Sequence, residues 1–289
     1  MKHRFLLLST VALSWQFFTA RADTISNRIT ATVRGNGPDV LLIPGLASSG
    51  AVWDATVHHL ENHFRLHIIQ VAGFAGSPDG PNAQGAVIQP TADAIDAYLK
   101  TNHLKSPKII GHSMGGLVGM MLAIQHLEDV DRLMIVDSLP FFSVLLGATD
   151  ATNAASSAAA MRDSILTESQ ETYAAGEKQF LPAMVKSPEG LKLATGWAVA
   201  SDKSVVARAM YEDMTTDLRP ELHAIKAPVT LLYPWDPQSG YPREATDKLY
   251  QDNFSALPGV KTICVENSFH FIMLDQPDKF LAQVDAFLK

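Results

Sequence analysis

One short run carries chemistry that the rest of the chain must support. It is Gly111-His112-Ser113-Met114-Gly115-Gly116, the only Gly-x-Ser-x-Gly among 289 residues. Before it stands the apolar run "KII", and after it "LVGMMLA" begins at once. A serine at such a junction projects from a tight strand-to-helix turn. Its neighbours then need almost no side chain, which Gly111 and Gly115 provide and Gly116 extends. The helix that starts near Met114 aims its first N–H groups and positive end at the turn, where a developing oxyanion is stabilised.

A serine hydroxyl is a weak nucleophile at its own pKa. It needs a base, and the base needs an acid to orient it. Of the ten histidines, His270 in "ENSFHFIMLDQP" falls between a late strand and the last helix, so it is the candidate base. Two aspartates compete for the acid. Asp236 in "LLYPWDPQSG" follows the penultimate strand, and Asp137 in "LMIVDS" follows the strand after the serine turn. Both lie at strand C-termini, where sites form in parallel sheets. Asp236 is favoured, because a long helical block separates Asp137 from the later strands. The reading of Asp236 as a mere turn cap before Pro237 stays open. An oxyanion site needs a second N–H besides that of Met114. In "IPGLASSG" Pro44 has none and Gly45 permits close approach, which leaves Leu46 as the second donor.

The elements that must position these residues read as an α/β chain. Apolar runs "DVLLIPG", "FRLHIIQVAG", "KIIG", "DRLMIVDS", "APVTLLYPW" and "VKTICVEN" have the length and bounding residues of buried strands. Helical patterns alternate with them: "SSGAVWDATVHHLENH" after a serine cap, "TADAIDAYLKTNHL" after a threonine cap, "MGGLVGMMLAIQHLE", "REATDKLYQDN" and "PDKFLAQVDAFLK". The alternation predicts a mostly parallel central sheet flanked by helices. It breaks between about 140 and 220, where only helical patterns occur, so a helical cap is inserted there. Its apolar residues Phe141, Phe142 and Trp197, with Leu145, Leu146, Met210 and Met214, are candidates to line a substrate pocket. The alternative is that they are core.

Bulk properties narrow the class. Apolar residues make up 47% of the chain, enough for a large core. Lys plus Arg is 23 against 30 for Asp plus Glu, a formal net charge of −7, and no basic cluster occurs. That balance argues against nucleic acid as a partner. Residues 1–22 have the layout of a secretory signal peptide: Lys2 and Arg4, an apolar stretch from Phe5 to Ala20, then Ala20-Arg21-Ala22 before Asp23. The expected mature domain is 23–289, exported to the periplasm or beyond. An uncleaved membrane anchor is the alternative. Cys264 is the only cysteine, so no internal disulfide forms, and it reads as a buried strand residue. No His, Cys and Asp cluster has metal-ligand spacing, and the chemistry above calls for no metal and no cofactor.

These residues resemble the α/β-hydrolase superfamily, in particular its small serine hydrolases and esterases with a helical cap. The resemblance runs from about Thr30 to the C-terminus. "VLLIPGLASSGAVWDATVHHL" is similar to the family's strand-to-helix segment, with Trp53 at its tryptophan. "GHSMGG" is similar to its nucleophile elbow, and "FHFIMLDQPDKFLAQVDAFL" to its histidine loop and final helix. The resemblance implies a Ser113–Asp236–His270 triad acting on a small-molecule ester or related acyl bond through an acyl-enzyme, with the helical block shaping the pocket. Acyl transfer, or cleavage of an amide, thioester or C–C bond, uses the same triad. A binding protein on the same fold is a further reading. Pro44 replaces the family's usual His before Gly45, and Ala72 stands where an Asp is usual.

Overall fold

Nine residues separate the end of the first buried strand, Ile43, from the Trp53 indole that has no exposed surface. They illustrate how tightly the chain returns to its sheet. The computed structural model describes residues 22–23, 27–126 and 130–289. It holds an eight-stranded sheet in the order β1-β2-β4-β3-β5-β6-β7-β8. The strands are β1 (Ala22–Asp23), β2 (Ile29–Arg34), β3 (Asp39–Ile43), β4 (Arg65–Val71), β5 (Lys108–His112), β6 (Arg132–Val136), β7 (Val229–Trp235) and β8 (Lys261–Glu266). From β4 to β8 every pairing is parallel, whereas β1–β2 and β2–β4 are antiparallel. All six expected strands form. β2 went unread because "ITATVR" is half polar, as suits a strand beside an antiparallel partner with one wetter face.

The helices are α1 (Asp54–Leu60), α2 (Ile88–Thr101), α3 (Met114–Gln125), α4 (Ala151–Thr167), α5 (Gln170–Phe180), α6 (Pro188–Ala200), α7 (Lys203–Thr215), α8 (Arg243–Asn253), α9 (Ile272–Asp275) and α10 (Pro277–Leu288). The helix α3 is buried from Met114 through Ala123, which explains why its sequence is apolar on all sides. Trp53 stacks on Phe280 of α10, ring centroids 6.1 Å apart, and so ties the turn after β3 to the last helix. Ser49 does cap this turn, accepting from Ala51 N. The helix α2 departs from expectation. It starts at Ile88, not Thr91, and its cap comes from far away. The Glu212 carboxylate of α7 accepts from the N–H groups of Val87 and Ile88. Cys264 is only partly buried.

Helices α4 to α7 all lie between β6 and β7, within the expected 140–220 insertion. They sit over the C-terminal ends of the strands. Ser201 Oγ reaches the Ala47 carbonyl after β3 and accepts from Ala75 N after β4. Asp202 N donates to Gly73 O, and Leu218 N to Pro140 O after β6. Phe271 N, after β8, donates to Met184 O. The block is thus fastened to the loops after β3, β4, β6 and β8.

Candidate active site

Ser113 occupies the residue between β5 and α3 with φ 54° and ψ −125°, a conformation costly for a residue with a side chain. Three contacts hold it there. Ser113 N donates to Val136 O, and Ser113 O accepts from Gly116 N and Leu117 N. The flanking glycines are sterically required. A Cβ on Gly111 would collide with the Gly115 carbonyl, and one on Gly115 with the carbonyls of Ile43 and Pro44. A Cβ on Gly116 would come within 2.6 Å of the Ser138 Cβ. The Gly-x-Ser-x-Gly spacing therefore reports a real crossing of three backbone segments.

The candidate base His270 meets an aspartate, and the two come from the loops that follow β8 and β6. His270 Nδ1 lies 2.7 Å from Asp137 Oδ2, with both side chains largely buried. Asp137 itself has φ 44°, so two residues at adjacent strand ends, Ser113 and Asp137, carry left-handed backbone. Such clustering of strained residues is a mark of functional sites.

Asp236, the acid favoured from sequence, is not placed with His270. Its carboxylate has no exposed surface, meets Lys186 Nζ at 2.5 Å and accepts from Gln238 N at 2.8 Å. Burial raises its pKa, but Lys186 and the Gln238 N–H outweigh that and hold it below the usual carboxylate range. The physical reason for the correction is a competition that only the fold reveals. The inserted block delivers Lys186 to Asp236, while β6 lies directly beside the serine strand and its left-handed terminal residue turns the Asp137 carboxylate to His270. Chain separation between Asp137 and His270 is irrelevant, because β6 pairs with β7 and the block is looped out above them.

The two expected oxyanion donors are the N–H groups of Leu46 and Met114. Neither Leu46 N nor Met114 N donates to another described backbone group. Gly45 brings its loop against the serine: a Cβ there would lie 3.0 Å from both the Ser113 Cβ and His112 Nδ1. The Ser113 hydroxyl makes no hydrogen bond with a described residue.

Expected pocket residues divide. Phe141 has no exposed surface and lies under the Arg219 guanidinium, 4.6 Å from its ring centroid, so it is packing and not an open wall. Met214 is likewise buried, and Leu145 and Leu146 face solvent. Phe142, Trp197 and Met210 are partly buried. Sequence reading missed four residues at the site. His112, taken only as part of the elbow, is fully buried, donates from Nε2 to His270 O at 3.1 Å and lies tilted against the His270 ring, with centroids 4.5 Å apart. Burial and then the neighbouring His270 push its pKa well below the ordinary value, so it is a neutral prop for the histidine loop. Asp213 of α7 faces His270 electrostatically, and burial pushes its carboxyl up to about 7 against the pull of His270. Tyr250 of α8 donates to Asp137 Oδ1. Asp275 of α9 accepts from Phe269 N, Lys186 N and Ser187 N, each at 2.9 Å. No periodic or spacing signal marks any of them.

Comparison with known proteins gives a consistent picture. The model of the alpha/beta hydrolase family matches residues 40–284. The pimeloyl-[acyl-carrier protein] methyl ester esterase of Nitrosomonas europaea is 27% identical over 266 residues, covering 87% of this chain and 96% of that protein. The Vibrio vulnificus protein of that name is 26% identical, covering 88% and 95%. Among solved structures, the enol-lactonase from Burkholderia xenovorans aligns with TM-score 0.75 at 20% identity over 93% of this chain and 99% of that one. An esterase from Exiguobacterium antarcticum aligns with TM-score 0.76 at 16% identity, with the same coverage. At these identities the structures speak for the fold.

Proposed function

The chain belongs to the alpha/beta hydrolase family, and on that premise we propose that it cleaves carboxylic esters through a Ser113–His270–Asp137 triad. The observation that carries this reading is the 2.7 Å contact between His270 Nδ1 and Asp137 Oδ2 beside a strained serine turn. Asp137 accepts the Nδ1–H and so leaves Nε2 as the basic nitrogen. His270 takes the Ser113 proton as Oγ attacks the acyl carbon, and returns it to the departing alkoxide. The N–H groups of Leu46 and Met114 receive the oxyanion. A water, deprotonated by His270, then attacks the acyl-enzyme and releases the acid. The Ser113–His270 hydrogen bond belongs to the substrate complex, since such bonds often tighten only when substrate is bound.

The substrate is a small-molecule ester. The relatives named for a methyl ester of an acyl-carrier-bound acid make methyl esters of medium-length acids a first choice. Ser113→Ala should abolish both ester turnover and labelling by a fluorophosphonate probe while the fold persists. A panel of p-nitrophenyl and methyl esters of increasing acyl length reads the preference. Retained turnover in Ser113→Ala would remove the nucleophile assignment, and an unlabelled wild-type protein would favour a binding role.

Export is part of the same proposal. The leader of residues 1–22 lies outside the described residues except for Ala22. N-terminal sequencing of the protein from its own host should find Asp23 first; an intact Met1 in a membrane fraction would favour an anchor.

A further inference from the structure

The Asp137 carboxylate has two oxygens, and both are taken. Oδ2 accepts from His270, and Oδ1 accepts from the hydroxyl of Tyr250, which reaches across from α8, more than a hundred residues later in the chain. Tyr250 is buried, and its ring stacks on Tyr233 of β7 with centroids 4.4 Å apart and planes 25° from parallel. The chain of contacts continues outward. Tyr233 donates to Asp247 Oδ1 at 2.6 Å, Asp247 receives Arg243 Nε at 2.7 Å, and Arg243 pairs with Glu266 at 2.6 Å. The phenol that meets Asp137 is therefore held from behind by a stacked ring, itself tied through an ion pair to the surface.

We infer that Tyr250 is a positioning residue for the hydrolytic reaction, fixing the rotation of the Asp137 carboxylate so that Oδ2 faces His270. This rests on the triad reading above. A carboxylate at a strand end can rotate about its Cβ–Cγ bond, and one hydrogen bond to an imidazole does not pin it. A second donor on the other oxygen does. Among the described residues Tyr250 OH donates to Asp137 and not to Ser113, so its influence passes through Asp137. Burial, followed by the charge of Asp137, pushes the Tyr250 phenol well above its ordinary pKa, so it remains a donor at any pH where the base works. Its hydrogen bond draws charge from the carboxylate, so losing it leaves Asp137 a stronger acceptor for the imidazole N–H. Other groups facing this set are His112 from β5, Asp213 from α7, Tyr233 from β7 and Cys264 from β8.

The test is Tyr250→Phe, which keeps the stacked ring and removes one hydroxyl, read beside Asp137→Asn and Tyr233→Phe. In Tyr250→Phe, kcat on a p-nitrophenyl ester should fall about tenfold or more, the scale of one hydrogen bond to a charged group. KM should hold, and the acid limb of kcat/KM should move to higher pH. Added to Asp137→Asn, the same change should cost nothing further. Tyr233→Phe should leave the limb in place. If Tyr250→Phe matches wild type in kcat and pH limb while Asp137→Asn is inactive, Tyr250 is structural and the inference falls. An equal shift from both tyrosine variants overturns it too. A fully active Asp137→Asn instead removes the triad reading itself. Should Tyr250→Phe not fold, the unsubstituted protein still decides: the low-field hydroxyl proton of Tyr250 should move in NMR spectra as His270 titrates, and a resonance that stays fixed overturns the proposal.

Discussion

The two aspartates at the ends of β6 and β7 show how much one residue's surroundings decide. Each follows a strand of the same parallel sheet, and each could serve as an acid by position alone. Asp137 meets an imidazole and a phenol, whereas Asp236 meets an ammonium and a backbone N–H. The acid in a triad holds the imidazole tautomer and stabilises the imidazolium. Asp137→Asn should therefore lower kcat by several orders of magnitude, roughly 10⁴ as in a related triad. Asp236→Asn should leave kcat within a few-fold and cost stability of about 1–3 kcal/mol, the penalty for disturbing a buried hydrogen-bonded group. Steady-state kinetics and urea melts on the two variants check this. A dead Asp236→Asn with a stable fold would restore the assignment read from sequence.

At the scale of elements, the inserted block and the histidine loop are joined by one carboxylate. Asp275 at the end of α9 receives the N–H of Phe269, next to His270, and the N–H groups of Lys186 and Ser187 at the start of α6. Phe271 N donates back to Met184 O. This pairing makes the position of His270 depend on how the block is seated. Asp275→Ala leaves three N–H groups without their acceptor, so the loss should exceed that of a single helix cap, which is about 1 kcal/mol. It should lower kcat, lower the melting temperature and speed proteolysis between 184 and 188. Unchanged cleavage there, with kcat intact, would show that the latch is dispensable. Glu212, which caps α2 from α7, is a second fastening of the same kind.

For the whole molecule, titratable groups drawn wholly or partly out of water set how stability follows pH. His67 is nearly fully buried. Tyr98 donates to its Nδ1 at 2.6 Å, and its Nε2–H donates to Asp39 at 2.9 Å. Burial lowers its pKa below 6.5, more than Asp39 raises it, and His112 is lowered further. In both cases the folded chain binds fewer protons than the unfolded one. Their stability contribution is full above about 6.5 and is lost as pH falls through the depressed values. Asp213 has the opposite sign. With its pKa raised to about 7, stability is lost as pH rises from the ordinary carboxylate range to 7. Melting curves at pH 5, 7 and 8 should show His67→Gln gaining on wild type toward pH 5. Asp213→Asn should melt above wild type at pH 8 and lose that advantage near pH 5. A pH-independent difference would show that Asp213 ionises freely.

What the residues determined by themselves was the layout: six of the eight strands, the serine turn with its steric glycines, the late histidine and the helical insertion. Each rests on local rules. A buried parallel strand must be an apolar run, an elbow must have small neighbours, and a helix apolar on every side must be buried. The partner of His270 was open in the sequence because two aspartates obeyed the same local rule. The tertiary structure decided between them, since the outcome turned on a lysine brought in by the inserted block and on a left-handed residue at the end of β6. Tyr250, Asp275, His112 and Asp213 were silent for the same reason. Each acts through a neighbour distant in the chain, and a hydrogen bond across the fold leaves no period or spacing in the sequence.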